Sequence, residues 1–476
     1  MSIVKKISKN TLWLTISSVT SKVIGFGIVV LVARNLQVEG FGQYNFALSF
    51  GIIINVIANF GLSTLANRDL ARDRRLTKEY INNIISIKLV LAAITLIFLT
   101  IIIQFIDKPF QVKVIVYLAS VYVIVESYNI FFRSIFRAHE RMHFETISRI
   151  IERLIVLTLV AGFFFMGYGI FSVFVAYIIA ETVSMLITAT IVYKKFCKFS
   201  FKFDFSKWKK FLKPSMYFAL TEVFIIVYFK IDVLMLSIMK NDQVTGLYSS
   251  AYDLLFAFIF IPTIMNAAVF PRISFLAKNA YERFKNLAFT LQKYFLVVSI
   301  PLSIGLYFSS DFLIDLIYGS EFSNATALFQ VMTIALIFVF LNHIYGSIFN
   351  AVDKQHIFTI FAGVCMVFNV TMNFILIPLL AAKGAAIATI STELLLTILS
   401  IMGIYKYIGK PLVNFWGTNA KILVGGIAAI TVTVILPDFH PIIRSILSVL
   451  VYTTVIFTLR VFNTRDYKYF FELIQK

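Results

Sequence analysis

Apolar stretches long enough to cross a membrane dominate the chain. A helix needs roughly 20 consecutive, mostly apolar residues to span the hydrocarbon of a bilayer. Such stretches recur along the sequence and are separated by short polar loops. We predict fourteen helices from them, at residues 11–33, 41–62, 83–106, 112–134, 147–166, 169–193, 213–239, 247–270, 285–309, 325–349, 357–380, 384–406, 419–437 and 441–462. The predicted fold class is therefore an all-α polytopic membrane protein.

Composition agrees with that fold class. Apolar residues make up 59% of the 476 residues, and only 14% are charged, whereas about 25% is usual in a soluble domain. The net charge of +19 would indicate a nucleic-acid partner in a soluble protein. Here the basic residues are scattered between apolar stretches instead of forming one patch, so we expect no nucleic-acid partner.

The distribution of basic residues predicts the orientation. With the N-terminus inside, the inner segments hold 32 of the 43 lysines and arginines, and the outer loops hold 6. This is the asymmetry of the positive-inside rule. We therefore expect a multi-pass protein of the cytoplasmic membrane with both termini cytoplasmic. The basic segment 194–213, with eight lysines, either fixes this topology or contacts anionic lipid headgroups.

An internal repeat divides the predicted helices into two groups of six. At an offset of 204 residues, Gly42–Ala47 (GQYNFA) falls on Gly246–Ala251 (GLYSSA). At an offset of 213, Asn129 falls on Asn342. Equivalent points are six helices apart, so both copies cross the membrane in the same direction. A parallel repeat of this kind is typical of transporters that work by alternating access.

The repeat sets the expected domain organisation. We predict an N-terminal six-helix lobe at 1–193, a basic cytoplasmic linker at 194–213 and a C-terminal six-helix lobe at 214–408. Residues 409–476 would contribute two additional helices and a cytoplasmic tail. The two lobes would form a V around a central cavity.

Several segments resemble a known family, the Wzx-type polysaccharide flippases of the multidrug/oligosaccharidyl-lipid/polysaccharide exporter superfamily. They are Ala33-Arg34-Asn35-Leu36, Phe41-Gly42-x-Tyr44, Asn67-Arg68-Asp69-Leu70-Ala71-Arg72-Asp73, Asp232-Val233-Leu234-Met235-Leu236 and Gly246-Leu247-Tyr248-Ser249-x-Ala251. The resemblance implies movement of a polyprenyl-diphosphate-linked oligosaccharide, such as an O-antigen or exopolysaccharide unit, from the cytoplasmic to the outer leaflet. It further implies membrane lipids as surroundings and a polysaccharide polymerase or other assembly proteins as partners.

Basic residues inside the predicted helices are candidates for binding the diphosphate. An ionisable group within a bilayer is costly and is a functional candidate for that reason. Lys22 and Lys230 are the leading candidates, because lysine donates charge-assisted hydrogen bonds to phosphate. Lys88 and Lys293 are further candidates that could instead extend to the membrane surface.

Acidic residues in the helices would balance these cations or bind a coupling ion, H⁺ or Na⁺. The candidates are Glu222, Asp232, Asp253, Glu126 and Glu181. A structural alternative stays open for each of them, because intramembrane charges commonly pair with one another. His139 and His143 lie four residues apart but among arginines that would repel a cation. We therefore predict no metal site.

Three other functions are alternatives to glycan export. A peptidoglycan-precursor flippase or a drug exporter would share the architecture, although the intramembrane cations favour an anionic lipid over a cationic drug. A polysaccharide polymerase or glycosyltransferase would need a larger outer segment than the short predicted loops provide. Because the sequence has no phosphate-binding loop of the Gly-x-x-x-x-Gly-Lys type, we expect neither ATP hydrolysis nor any other enzymatic activity.

Overall fold

A computed structural model describes residues 3–409, 415–436 and 439–462, and these residues are almost entirely helical, with no strand among them. The first seven helices are α1 (Ile3–Asn59), α2 (Leu62–Arg72), α3 (Thr77–Gln104), α4 (Phe110–Ala138), α5 (Met142–Phe165), α6 (Ile170–Lys195) and α7 (Phe205–Met239). The remaining helices are α8 (Asp242–Ala257), α9 (Phe260–Asn279), α10 (Tyr281–Phe308), α11 (Ser310–Tyr318), α12 (Thr326–Ala351), α13 (Gln355–Leu380), α14 (Ala382–Tyr407), α15 (Phe415–Ile435) and α16 (Pro441–Thr458).

The all-α membrane fold predicted from the sequence is confirmed. Most predicted stretches each lie on one of these helices, but 247–270 is divided between α8 and α9 by a turn at 258–259, and 41–62 extends past the end of α1. The last residue of 419–437 and the tail 463–476 lie outside the described residues. Eleven helical segments among the described residues are long and apolar enough to cross a membrane. The count of fourteen spans is therefore not confirmed.

The first two predicted stretches form one long helix, α1, with a sharp bend at Gln37. Gln37 has φ 58° and ψ −174°, a backbone conformation that residues other than glycine rarely adopt. Beyond the bend, Gly42 lies against the start of α8, where an added Cβ would overlap the carbonyl oxygen of Asp242. A glycine at position 42 is therefore required for this close backbone contact.

The chain forms two compact units, Met1–Gly246 and Leu247–Lys476. In the first unit, α1 packs against α3, α4, α5 and α7, and α6 packs against α4 and α5. In the second unit, α12 packs against α9, α10 and α14, and α15 and α16 pack against α10. Helix α7 thus belongs to the first unit, whereas the sequence places it in the C-terminal lobe. The lobe boundaries given above stay a prediction.

Helix α7 begins at Phe205, eight residues earlier than predicted, within the basic segment 194–213. Trp208 and Phe211 in this extension are buried in an apolar cluster with residues of α2, α3 and α4. Burying two aromatic side chains stabilises the added helical turns. The basic segment is therefore partly helical and anchored to the first unit.

The internal repeat is visible in hydrogen bonds at equivalent positions of the two units. In the first unit, Asn129 Nδ2 donates to Glu181 Oε1 at 2.6 Å. In the second unit, Asn342 Nδ2 donates to Glu393 Oε2 at 2.8 Å. Each pair joins the fourth and sixth predicted helix of its repeat. Both asparagines also accept a hydrogen bond from a nearby threonine hydroxyl.

Candidate functional site

A cavity of about 670 Å³ lies within the first unit, between α1, α4, α5 and α6. Five charged side chains line it: Lys22, Glu126, Glu145, Arg149 and Arg153. Its volume is within the range of about 300–1,000 Å³ that is usual for ligand pockets. The cavity brings Lys22 and Glu126, two of the residues predicted from the sequence, to one site.

Lys22 is the cation of this cavity that has no counter-ion in the part of the chain that the structure describes. Its side chain is exposed. Among the described residues it makes neither a hydrogen bond nor an ion pair. The neighbouring lining residues Ser18, Ser21 and Gly25 add hydroxyl groups and open space around the ammonium group. The Lys22 charge is thus available to an anionic ligand.

The two arginines of the cavity are held by carboxylates of their own helix. Arg149 donates to Glu145 Oε1 at 3.0 Å, and the same oxygen accepts from Arg137 Nη1 at 2.7 Å. Arg153 Nε lies 3.7 Å from Glu152 Oε1. Because Glu145 is shared between two arginines, positive charge is in excess around it.

Three tyrosines form the uncharged polar wall of the cavity. The hydroxyl groups of Tyr44 and Tyr177 lie 2.7 Å apart in a hydrogen bond, and the Tyr122 ring centroid is 5.1 Å from that of Tyr177. Tyr44 belongs to the repeated Gly-x-Tyr motif. Aromatic faces with hydroxyl tips offer both apolar contact and hydrogen bonding, which suits a sugar ring.

A buried polar network joins the helices that carry two of these tyrosines, Tyr122 and Tyr177. Arg133 Nη2 donates to Glu152 Oε2 at 2.6 Å and to Ser184 Oγ at 2.9 Å. Ser184 Oγ also accepts from Asn129, which binds Glu181. Glu181 is 1% exposed, so its carboxylate is held inside the helix bundle in this structure. The network links α4, α5 and α6.

Lys88 and Glu222 lie in a second buried network on α1, α3 and α7, away from the cavity lining. Lys88 is fully buried, and its Nζ donates to Asn59 Oδ1 at 3.1 Å. Asn59 Nδ2 donates to both carboxylate oxygens of Glu222, at 2.8 and 2.9 Å. Asn59 therefore bridges a cation and an anion that the sequence suggested as separate site residues.

The other predicted site residues are placed apart from the cavity. Lys230 is partly exposed on α7, and Asp232 on the same helix is buried. In the second unit, Lys293 is buried and donates to the Val461 carbonyl oxygen at 3.3 Å. Asp253 is partly buried on α8. The assignment of these residues to substrate or ion binding stays a prediction.

Arg149 and Arg153 are the site residues that sequence reasoning missed. Neither arginine is among the candidates named from the sequence. Their spacing from Glu145 could have indicated a shared charged face, since positions i, i+4 and i+8 lie on one face of a helix. What the sequence could not show is that this face of α5 is opposite Lys22.

The solved structure of the lipid II flippase MurJ in an inward closed conformation shares this fold, with a TM-score of 0.73 and 17% identity. That match covers 94% of this chain and 99% of that chain. The fold is that of the multidrug/oligosaccharidyl-lipid/polysaccharide exporter superfamily.

The family model described as polysaccharide biosynthesis protein matches residues 7–277, more than half of the chain, and the model described as MatE matches residues 218–375. The chain therefore belongs to the polysaccharide biosynthesis protein family.

Two named relatives match most of the chain. The probable low-salt glycan biosynthesis flippase Agl15 of Haloferax volcanii is 22% identical over 88% of this chain and 89% of its own length. The teichuronic acid biosynthesis protein TuaB of Bacillus subtilis is 22% identical over 78% of this chain and 77% of its own length.

Proposed function

We propose that this protein is a flippase that moves a polyprenyl-diphosphate-linked oligosaccharide from the cytoplasmic to the outer leaflet of the cell membrane. The observation that carries the proposal is Lys22, a cation that lines a cavity inside a membrane-spanning unit and has no counter-ion among the described residues. A charge left in such a place is costly unless it serves a ligand. The named glycan-biosynthesis relatives support a glycan-bearing substrate.

The diphosphate would bind between Lys22 and the arginine face of α5. Lys22 supplies a mobile ammonium group, and Arg149 and Arg153 supply planar guanidinium groups that match phosphate oxygens. On binding, the phosphate oxygens would compete with Glu145 for Arg149. Because Arg137 also donates to Glu145, this carboxylate would keep a cationic partner after Arg149 turns to the substrate.

The first sugar would contact the tyrosine wall. Tyr44, Tyr122 and Tyr177 line the same cavity as Lys22. A diphosphate at Lys22 would bring the attached sugar toward these rings, while the polyprenyl chain would stay in the lipid. This arrangement favours an anionic glycolipid over a cationic drug.

Coupling to an ion gradient belongs to the same proposal. Glu126 lines the cavity, and a proton or Na⁺ at its carboxylate would change the local charge that the diphosphate meets. Protonation of Glu126 would strengthen substrate binding by removing a negative charge. The E126Q variant would then transport its substrate independently of the ion gradient.

Complementation in the native host tests the function. Loss of the protein should cause lipid-linked oligosaccharide to accumulate in the cytoplasmic leaflet and should stop export of the glycan. Wild type and the control K383Q, which removes an exposed lysine outside the cavity, should restore export, and K22Q should not. Unchanged glycan export in the deletion strain would overturn the proposed function.

A further inference from the structure

A second cavity, of about 480 Å³, lies at the ends of the helices in the first unit. We name it the basic end pocket, and its lining residues are Arg74, His139, Arg141, Phe144, Lys195 and Phe196. They come from the turn after α2, the α4–α5 connection, the first turn of α5 and the end of α6. The pocket therefore lies at the helix ends and is separate from the cavity that contains Lys22.

Positive charge in the basic end pocket exceeds negative charge. Arg74 pairs with Glu140 at 3.2 Å, and both side chains are nearly half exposed. Arg141 and Lys195 are exposed and have no carboxylate within ion-pair distance among the described residues. Lys195 Nζ instead lies 4.6 Å from the Phe144 ring centroid, which orients the ammonium group across the pocket.

His139 forms the inner wall of the pocket and is held in one orientation. Its Nε2 lies 2.9 Å from Thr77 Oγ1, and its ring meets Phe196 edge-on at 4.8 Å. Since the Thr77 hydroxyl donates to the Arg74 carbonyl oxygen at 2.6 Å, Nε2 must donate to Thr77. Burial and the Arg74 charge lower the pKa of His139, so the ring is neutral at pH 7.

The repeat shows that the pocket is not required by the fold. Glu140, with φ 57°, and its repeat equivalent Asp353, with φ 58°, form the same left-handed turn between two helices. On either side of this shared turn, the second copy has Val352 where the first has His139. It has another cation, Lys354, where the first has Arg141. The same turn therefore forms in the second copy without a histidine.

We propose that the basic end pocket binds the phosphate group of an anionic membrane-lipid headgroup. Arginine and lysine supply charge-assisted hydrogen bonds to phosphate oxygens, and Phe144 and Phe196 provide an apolar side for the glycerol and acyl part of the lipid. The same phosphate chemistry could come from a free anion in solution. The aromatic pair and the position at the helix ends favour the lipid.

Binding of matched lipids to the purified full-length protein in detergent tests the proposal. Native mass spectrometry would titrate phosphatidylglycerol and phosphatidylcholine with identical acyl chains against wild type, R141Q/K195Q and K354Q. Each basic residue near a membrane surface contributes about fivefold to binding of an anionic lipid, so the double variant should lose about 25-fold in affinity for phosphatidylglycerol. The K354Q variant, altered at the equivalent turn, should bind as wild type does.

Three further measurements complete the test: a conservative double variant, a stability control and a competition with inorganic phosphate. R141K/K195R should retain binding, and equal unfolding temperatures of wild type and R141Q/K195Q in phosphatidylcholine would show that both are folded. Inorganic phosphate should compete only at concentrations far above those of the lipid. Competition at equal concentration would identify a free anion and overturn the lipid assignment.

Equal affinity of wild type and R141Q/K195Q for phosphatidylglycerol would overturn the site. Loss of binding in R141Q/K195Q with unchanged glycan export would leave the proposed flippase function intact.

Discussion

Replacing Asn59 with leucine should destabilise the first unit strongly. Asn59 is 6% exposed and makes the contacts that join Lys88 to Glu222 across α1, α3 and α7. Leucine has the same number and branching of side-chain heavy atoms but no polar atom, so it would leave the buried ammonium of Lys88 and the partly buried carboxylate of Glu222 each without its partner. The variant thus isolates the polar contribution of one side chain.

The expected loss is about 3 kcal/mol in the free energy of unfolding. A hydrogen bond to a charged group contributes about 1.5–3 kcal/mol, and two charged groups lose such a bond. The lower end applies because hydrogen bonds between membrane helices average only about 0.6 kcal/mol. The matched control is N35L, since Asn35 is exposed and, among the described residues, bonds only to the Leu31 carbonyl oxygen of its own helix. It should change stability by less than about 0.5 kcal/mol.

The assay is reversible unfolding in mixed micelles, followed by circular dichroism at increasing fractions of denaturing detergent. The triple variant N59L/K88M/E222Q should regain most of the lost stability, because removing both charges also removes the cost of burying them unpaired. Equal stability of N59L and N35L would refute the bridging role. A triple variant no more stable than N59L would refute the charge argument.

Two further predictions concern the first unit. G42A should be less stable than wild type by about 1–3 kcal/mol, because the added Cβ forces the backbone away from Asp242. In contrast, G27A should cost little, since nothing lies within 4 Å of a Cβ at that position; equal unfolding free energies of the two variants would contradict the close contact. For His139, burial and the Arg74 charge lower the pKa in the folded protein, so the unfolded chain binds a proton more readily below about pH 6.5. Stability should therefore fall as the pH drops from 7 to 5, and H139Q should flatten this dependence; identical pH slopes of the unfolding temperature for wild type and H139Q would exclude His139 as the cause.

The helices and the repeat could be predicted from the sequence because both depend on local patterns. Apolar length defines each helix, and the offset that aligns Asn129 with Asn342 places Glu181 one residue from Glu393, the residue to which Asn342 donates. The bend at Gln37 could not be predicted, because glutamine has no preference for that backbone conformation.

The candidate site was only partly predictable. Lys22 is visible as an isolated cation in an apolar helix, and the structure places it on a cavity wall. Lys88 has the same appearance in the sequence, yet it is buried and bonded to Asn59. Which of two similar lysines is available to a ligand depends on the polar groups of neighbouring helices, and a single sequence does not show these contacts.

The central claim is that Lys22 binds the diphosphate of a glycolipid during transport. The most direct test reconstitutes wild type, K22Q and K383Q in liposomes that contain a labelled polyprenyl-diphosphate oligosaccharide and measures its appearance in the opposite leaflet. Lys22 makes no hydrogen bond or ion pair with other described residues, so K22Q should fold and unfold as wild type does while losing about 90% or more of its transport rate, as expected when a charge-assisted contact of at least about 1.4 kcal/mol is lost. K383Q should transport at the wild-type rate. Full transport by K22Q would contradict the claim.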